Sequence, residues 1–90
     1  MSILIVGGDG LEKIKKNLKK VGATDIQHIS GRKRGDLTRD LPSNLDMVLI
    51  LTDYINHQLC GQIKQQAQER GIKTIFSKRS WSHIRHAMEI

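Results

Sequence analysis

The stretch that decides the fold is DMVLIL at positions 46–51, in which five apolar residues follow one aspartate and a polar pair comes next. A continuous apolar run of this length is typical of a strand that is buried on both faces, as strands are in a parallel sheet covered by helices. The run ILIV at positions 3–6, which two glycines close, has the same character. Shorter runs at positions 25–29 and 73–76 complete a set of four predicted strands.

Helical periodicity lies between and after these runs. Apolar residues recur at intervals of three and four and so form a stripe on one side of each predicted helix. The second helix should begin near Tyr54, with Thr52 or Asp53 as its cap, and the last should begin around Ser80. Gly22 and Gly71 are placed to end the first two helices. The three stripes are Leu11, Ile14, Leu18 and Val21; Ile55, Leu59, Ile63 and Ala67; and Trp81, Ile84 and Met88.

The order of elements predicts the topology. Strands alternate with helices, except that positions 30–44, which hold the only proline, are expected to form a loop. Such alternation predicts an α/β fold with right-handed crossovers and three layers, in which a four-stranded parallel sheet is combined with three helices. We expect the strand order 2-1-3-4 of a half-Rossmann or flavodoxin-like fold, with its switch point between strands one and three. Ninety residues fit one domain, residues 1–90.

The missing helix between strands two and three has a consequence for assembly. Part of one sheet face is expected to lack a cover, and a parallel sheet does not tolerate an open apolar face. We therefore predict a homodimer in which a second subunit covers that face.

Composition limits the cellular compartment and the classes of binding partner that we expect. Lysine and arginine number 15 against 9 acidic residues, a formal charge of +6, which favours anionic partners but is also typical of an ordinary solvated surface. The single cysteine, Cys60, excludes an intrachain disulfide and a cysteine metal cluster. No run has the length of a membrane span or a signal peptide, so we expect a reducing cytoplasm and no membrane partner.

The segments that follow the four strands contain most of the unusual chemistry. In an open parallel sheet these segments share one edge, and ligands bind along that edge. Glycines after the first strand let the backbone approach a phosphate, and the cations and hydroxyls at positions 77–80 suit an anion. The dinucleotide fingerprint fails, however, because Lys13 stands where its third glycine belongs. The predicted ligand-binding residues are Gly8, Asp9, His28, Arg32, Thr52, Asp53, His57, Lys78, Arg79 and Ser80.

Other functions stay open at this point. His28 or His57 could be the ligand of a haem or a metal ion, since one axial histidine is enough for haem; the structural alternative is that both histidines hold loop backbones in place. A second alternative is binding of nucleic acid or an acidic protein through the lysines of positions 13–20 and the basic loop of positions 31–35. No nucleophile, base and orienting residue can be assembled from positions that are expected to meet, so no catalytic residue is assigned and a non-enzymatic role is favoured.

Four blocks of the sequence together resemble a bacterial family catalogued as domain of unknown function 2325. They are MSILIVGGD at positions 1–9, His28 with Gly31 and Arg32, TDYINH at positions 52–57 and KRSW at positions 78–81. The resemblance covers essentially the whole chain. It implies a short Rossmann-like α/β protein of the bacterial cytoplasm with a site at these motifs, and it supplies no reaction and no catalytic assignment.

Overall fold

The structure is a computed structural model that describes residues 1–29, 41–42, 44–53 and 57–89. Its strands form one parallel sheet with the order β2-β1-β3-β4, which confirms the α/β fold and the strand order that the sequence predicts. The elements within the described residues are β1 (Ser2–Val6), α1 (Glu12–Lys20), β2 (Asp25–Ile29), β3 (Met47–Leu51), α2 (His57–Glu69), β4 (Lys73–Ser77) and α3 (Trp81–Met88). None of these helices is both long and apolar enough to cross a membrane.

The two central strands are β1 and β3, the two most continuous apolar runs of the chain. Ile5 of β1 aligns with His28 of β2 on one side and with Leu49 of β3 on the other. Every residue of β3 is buried, whereas residues of the edge strands β2 and β4 alternate in exposure. Continuous apolar sequence therefore marks the strands that have a neighbour on both sides and a helix layer on both faces.

Helices cover the sheet in two layers, so the molecule has three layers in all. Successive side chains of a strand point to opposite faces, and the buried residues accordingly divide into two clusters. The first contains Ile3, Ile5, Met47 and Leu49 together with residues of α1 and α3. The second contains Leu4, Val6, Val48 and Ile50 together with Leu59, Ile63 and Ala67 of α2.

The end of α1 corrects one prediction. Val21, predicted to lie in the buried stripe, is 43% exposed. The helix ends at Lys20, Val21 is its C-cap, and Gly22 follows with the positive φ of 115° that the sequence predicts there. The spacing of Val21 continues the stripe, but the chain has already left the helix. Within α1 itself the buried residues are Ile14 and Leu18.

The described part of the β2–β3 connection packs against α2. Leu41 and Leu45 are buried in the second cluster. The Leu41 backbone N–H donates to Gln66 Oε1 at 3.0 Å, and Arg70 Nη1 donates to the Leu41 carbonyl at 2.8 Å. This connection therefore supplies apolar cover from within the same chain on the face where we predict a second subunit. The homodimer stays a prediction.

Candidate functional site

The segments that follow β1, β3 and β4 are joined by hydrogen bonds at the carboxyl edge of the sheet. We call residues 7–10, 52–53 and 78–80 the rim. The Thr52 N–H donates to the Ser77 carbonyl at 2.9 Å, which ties the end of β3 to the end of β4. The Arg79 N–H then donates to Asp53 Oδ2 at 3.1 Å. The rim is thus one connected unit, as the edge position predicted, and both Thr52 and Asp53 belong to it.

Arg79 connects the two ends of the rim. Its Nη2 donates to the Gly10 carbonyl at 3.2 Å, across 69 positions of sequence. Because Gly10 follows β1 and Arg79 follows β4, while Asp53 follows the intervening β3, the arginine spans the switch point between β1 and β3. A switch point is where open α/β sheets bind their ligands.

The glycines of the rim have conformations that L side chains rarely adopt. Gly8 has a φ of +78° and Gly10 has a φ of +60°. A Cβ at Gly10 would lie 3.1 Å from Arg79 Nη2. Among the hydrogen bonds between described residues, none is donated by the N–H of Gly8 or of Gly10. Of the two residues, Gly8 is buried and Gly10 is exposed.

His28 of β2 forms hydrogen bonds with the backbone of the glycine loop. Its Nε2 lies 3.1 Å from the Gly7 carbonyl and 3.0 Å from the Gly8 carbonyl. Carbonyl oxygens only accept, so Nε2 must carry the proton and donate to both. A ring nitrogen that donates in this way cannot bind a metal ion or haem iron, so Nε2 is excluded as a ligand and only Nδ1 keeps a free lone pair. Of the two roles predicted for His28, holding the loop is the one that its contacts match.

Ser80 is the N-cap of α3. Its Oγ accepts from the His83 N–H at 3.3 Å and also lies in hydrogen-bonding contact with His83 Nδ1. Trp81, which follows, is half-buried against the first core cluster, the packing role expected for it. The helix therefore begins at the rim, directly after the two cations Lys78 and Arg79.

Of three other predicted residues, Asp9 belongs to the rim, whereas His57 and Arg32 do not. Asp9 is exposed in the glycine loop, and His57 is exposed at the start of α2, on the opposite face of the sheet from α1 and α3. Arg32, with the rest of the basic loop, lies outside the described residues. Within the described residues, no group of three or more histidine, cysteine, aspartate or glutamate side chains is arranged to hold a metal ion.

Sequence reasoning missed two members of the site. Gly7 and Gly10 were not among the predicted ligand-binding residues, yet their carbonyls accept from His28 and from Arg79. The local sequence shows the glycines, but the identity of their partners depends on contacts between residues that are far apart in the chain.

Fold and rim together define a small parallel α/β protein with a polar, partly basic edge at its switch point. The sequence model of the bacterial family described as "Uncharacterized protein conserved in bacteria (DUF2325)" matches residues 2–90. The chain belongs to this family, and the resemblance found in the sequence is confirmed. Neither the curated proteins nor the solved structures give a match.

Proposed function

We propose that the chain is a small binding or regulatory module that takes a phosphate-bearing anion, such as a nucleotide, at the rim. The observation that carries the proposal is the position of Arg79 over the switch point. Its backbone is held by Asp53 and its guanidinium by the Gly10 carbonyl. An arginine fixed in this way presents its remaining donors without a further loss of side-chain freedom, which favours bidentate binding of two oxygens of a phosphate.

Backbone donors support the same ligand class. The amides of Gly8 and Gly10 lie in the loop that leads into α1, and α3 begins directly after Ser80 at the same edge. Helix N-termini carry partial positive charge and amides without an intrahelical partner, so they bind phosphate. Two helices of one layer therefore direct their positive ends toward the rim.

The local charges set a limit on affinity. Lys78 and Arg79 bring two cations to the rim, and Asp9 and Asp53 bring two carboxylates. The Asp53 carboxylate already accepts from the Arg79 backbone. The direct cationic contacts to an anion are thus assigned to Lys78 and Arg79, and the binding is expected to be moderate rather than tight. The cytoplasm, expected from the single free Cys60, is the compartment that we propose for it.

The test is calorimetric titration of the full chain with ATP and, separately, with inorganic phosphate. The double substitution K78A/R79A should weaken binding of ATP by at least about tenfold, because each charge-assisted hydrogen bond contributes about 1.5–3 kcal/mol. The control is K64A/K73A, which removes the same charge from α2 and from the first residue of β4.

Equal affinity in the wild type and in K78A/R79A would refute the assigned contacts. An equal loss of affinity in both double variants would show that only the net charge of the protein matters.

An absorbance spectrum of protein purified without added ligand gives a second readout. Excess absorbance near 260 nm supports a bound nucleotide. A band near 400 nm would instead support the histidine-ligated haem alternative, and His57→Ala would then test the ligand.

A further inference from the structure

Positive charge is distributed unevenly between the two helix layers. In the first layer α1 contains five lysines and one glutamate and α3 contains one arginine, which together give a formal charge of +5. In the second layer α2 contains one lysine and one glutamate, which cancel. Among the described helices, the net positive charge therefore lies in the layer of α1 and α3. A merely solubilising surface has no need of such a bias.

Four of the five lysines of α1 are exposed. Ile14 and Leu18 are buried against it, whereas Lys13, Lys16 and Lys20 are exposed and recur at intervals of three and four on the opposite side of the helix. Lys19 is exposed beside them, and Arg85 is exposed on α3 in the same layer. We call Lys13, Lys16, Lys19, Lys20 and Arg85 the basic face.

The basic face lacks the surface features that other anionic partners need for binding. Insertion into a membrane surface needs an apolar helix face that is free to enter it, and the apolar side of α1 is already buried in the core. A protein interface depends on exposed apolar or aromatic anchors, and single-stranded nucleic acid needs aromatic rings for its bases. Among the described residues of this layer, Trp81 is half-buried against the core, and Val21 at the end of α1 is the large apolar side chain that is exposed beside the basic face.

We infer that the basic face binds double-stranded nucleic acid through its phosphates, without sequence preference. From Lys13 to Lys20 the helix rises about 10 Å, a distance along which a duplex presents roughly six phosphate charges. Lysine is suited to this contact, because it acts as a mobile point charge that neutralises phosphates and releases counterions. The inference goes beyond the proposed function and uses residues that the rim does not.

The experiment is fluorescence anisotropy of a labelled DNA duplex of about 20 base pairs and mixed sequence, titrated with the full chain at several salt concentrations. With three to four phosphates neutralised, the logarithm of the binding constant should fall against the logarithm of salt with a slope of about −3 to −4. The variant K16Q/K20Q should lower affinity at low salt by about tenfold or more and reduce the slope by about 2. Glutamine keeps the helix propensity of lysine, so α1 should remain folded, which circular dichroism checks.

The control is K64Q/K73Q, which removes the same charge from outside the basic face and should leave the slope unchanged. The inference is overturned if both double variants lose affinity equally, if the salt response is flat, or if the chain binds anionic phosphatidylserine vesicles but not the duplex. K78A/R79A should retain duplex binding. Failure of the rim proposal and failure of this one are therefore distinguishable.

Discussion

Gly8 offers the sharpest test of the rim at the level of one residue. Its φ of +78° costs an L residue about 1–2 kcal/mol, and an added Cβ would lie 3.3 Å from both Leu11 Cδ2 and Leu51 Cδ1. Both neighbours are buried, so they have little room to move. Gly8→Ala should therefore lower the free energy of unfolding by about 2 kcal/mol, measured by urea denaturation. It should also weaken ATP binding, because the loop that supplies the amide must shift.

Gly61 provides the matched control for that substitution. It lies inside α2 without a positive φ, and a Cβ there would meet nothing within 4 Å. Gly61→Ala should thus raise the free energy of unfolding by about 0.5–1 kcal/mol, since alanine is the better helix former. If Gly8→Ala left the free energy of unfolding unchanged or raised it, as Gly61→Ala should, the conformation assigned to the Gly7–Gly10 loop would be wrong.

Residue chemistry predicts the members of the rim better than it predicts their roles. The cations Lys78 and Arg79 and the loop glycines were identifiable from sequence, because their types suit an anion. The roles of His28 and Ser80 were not fixed in this way. One donates to two loop carbonyls and the other caps a helix, so their polar atoms serve the protein itself. The type of a residue determines which hydrogen bonds it can form, whereas its neighbours in the fold determine which of them it forms.

The start of α3 yields a prediction about a single element. Ser80 has extended backbone dihedrals, and its hydroxyl accepts from the His83 N–H, as an N-cap does. Ser80→Ala should cost about 1 kcal/mol and lower the melting temperature by about 4–8 °C. Ser82→Ala, two residues further on, removes only an exposed contact of 3.3 Å to the Ser80 hydroxyl and should stay within about 0.5 kcal/mol. ATP affinity should be retained in Ser80→Ala if the hydroxyl only caps the helix. A stable variant that lost affinity would instead make Ser80 a ligand residue.

Element boundaries were predictable where two independent signals agree. The strands β1 and β3 are continuous apolar runs with a glycine or polar end, and both were placed to within a residue. The end of α1 shows the opposite case. Helical spacing included Val21, while Gly22 required the chain to turn there, and the turn prevailed. Apolar spacing can continue in the sequence beyond the residue at which the helix ends. The glycine that caps the helix therefore locates its end better than the spacing does.

Topology followed from the alternation of strands and helices, because right-handed crossovers place α1 and α2 on opposite faces of a sheet with this strand order. The cover of the α2 layer did not follow. Leu41 and Leu45 are isolated apolar residues in a polar segment and carry no periodicity. Both are buried in the second cluster, and Gln66 and Arg70 form hydrogen bonds with the Leu41 backbone there. Such a contact is invisible until both segments have been placed.

The homodimer stays a prediction. Because the β2–β3 connection contributes cover on the α2 face, where we predicted the second subunit, we test the edge strand β4 as the interface. Among the described strands β4 is paired only with β3, and its Phe76 is 42% exposed with the Lys64 ammonium 5.8 Å from the ring centroid. Unpaired edges and exposed aromatic rings favour association, and a chain of this size gains stability from a partner. Sedimentation velocity at micromolar concentration should give the dimer, and Phe76→Ser should shift it toward the monomer. Val21→Ser, which removes another exposed apolar side chain far from β4 in sequence, should not. A wild-type monomer would contradict the dimer itself, and a dimer that Phe76→Ser leaves intact would exclude this edge as its interface.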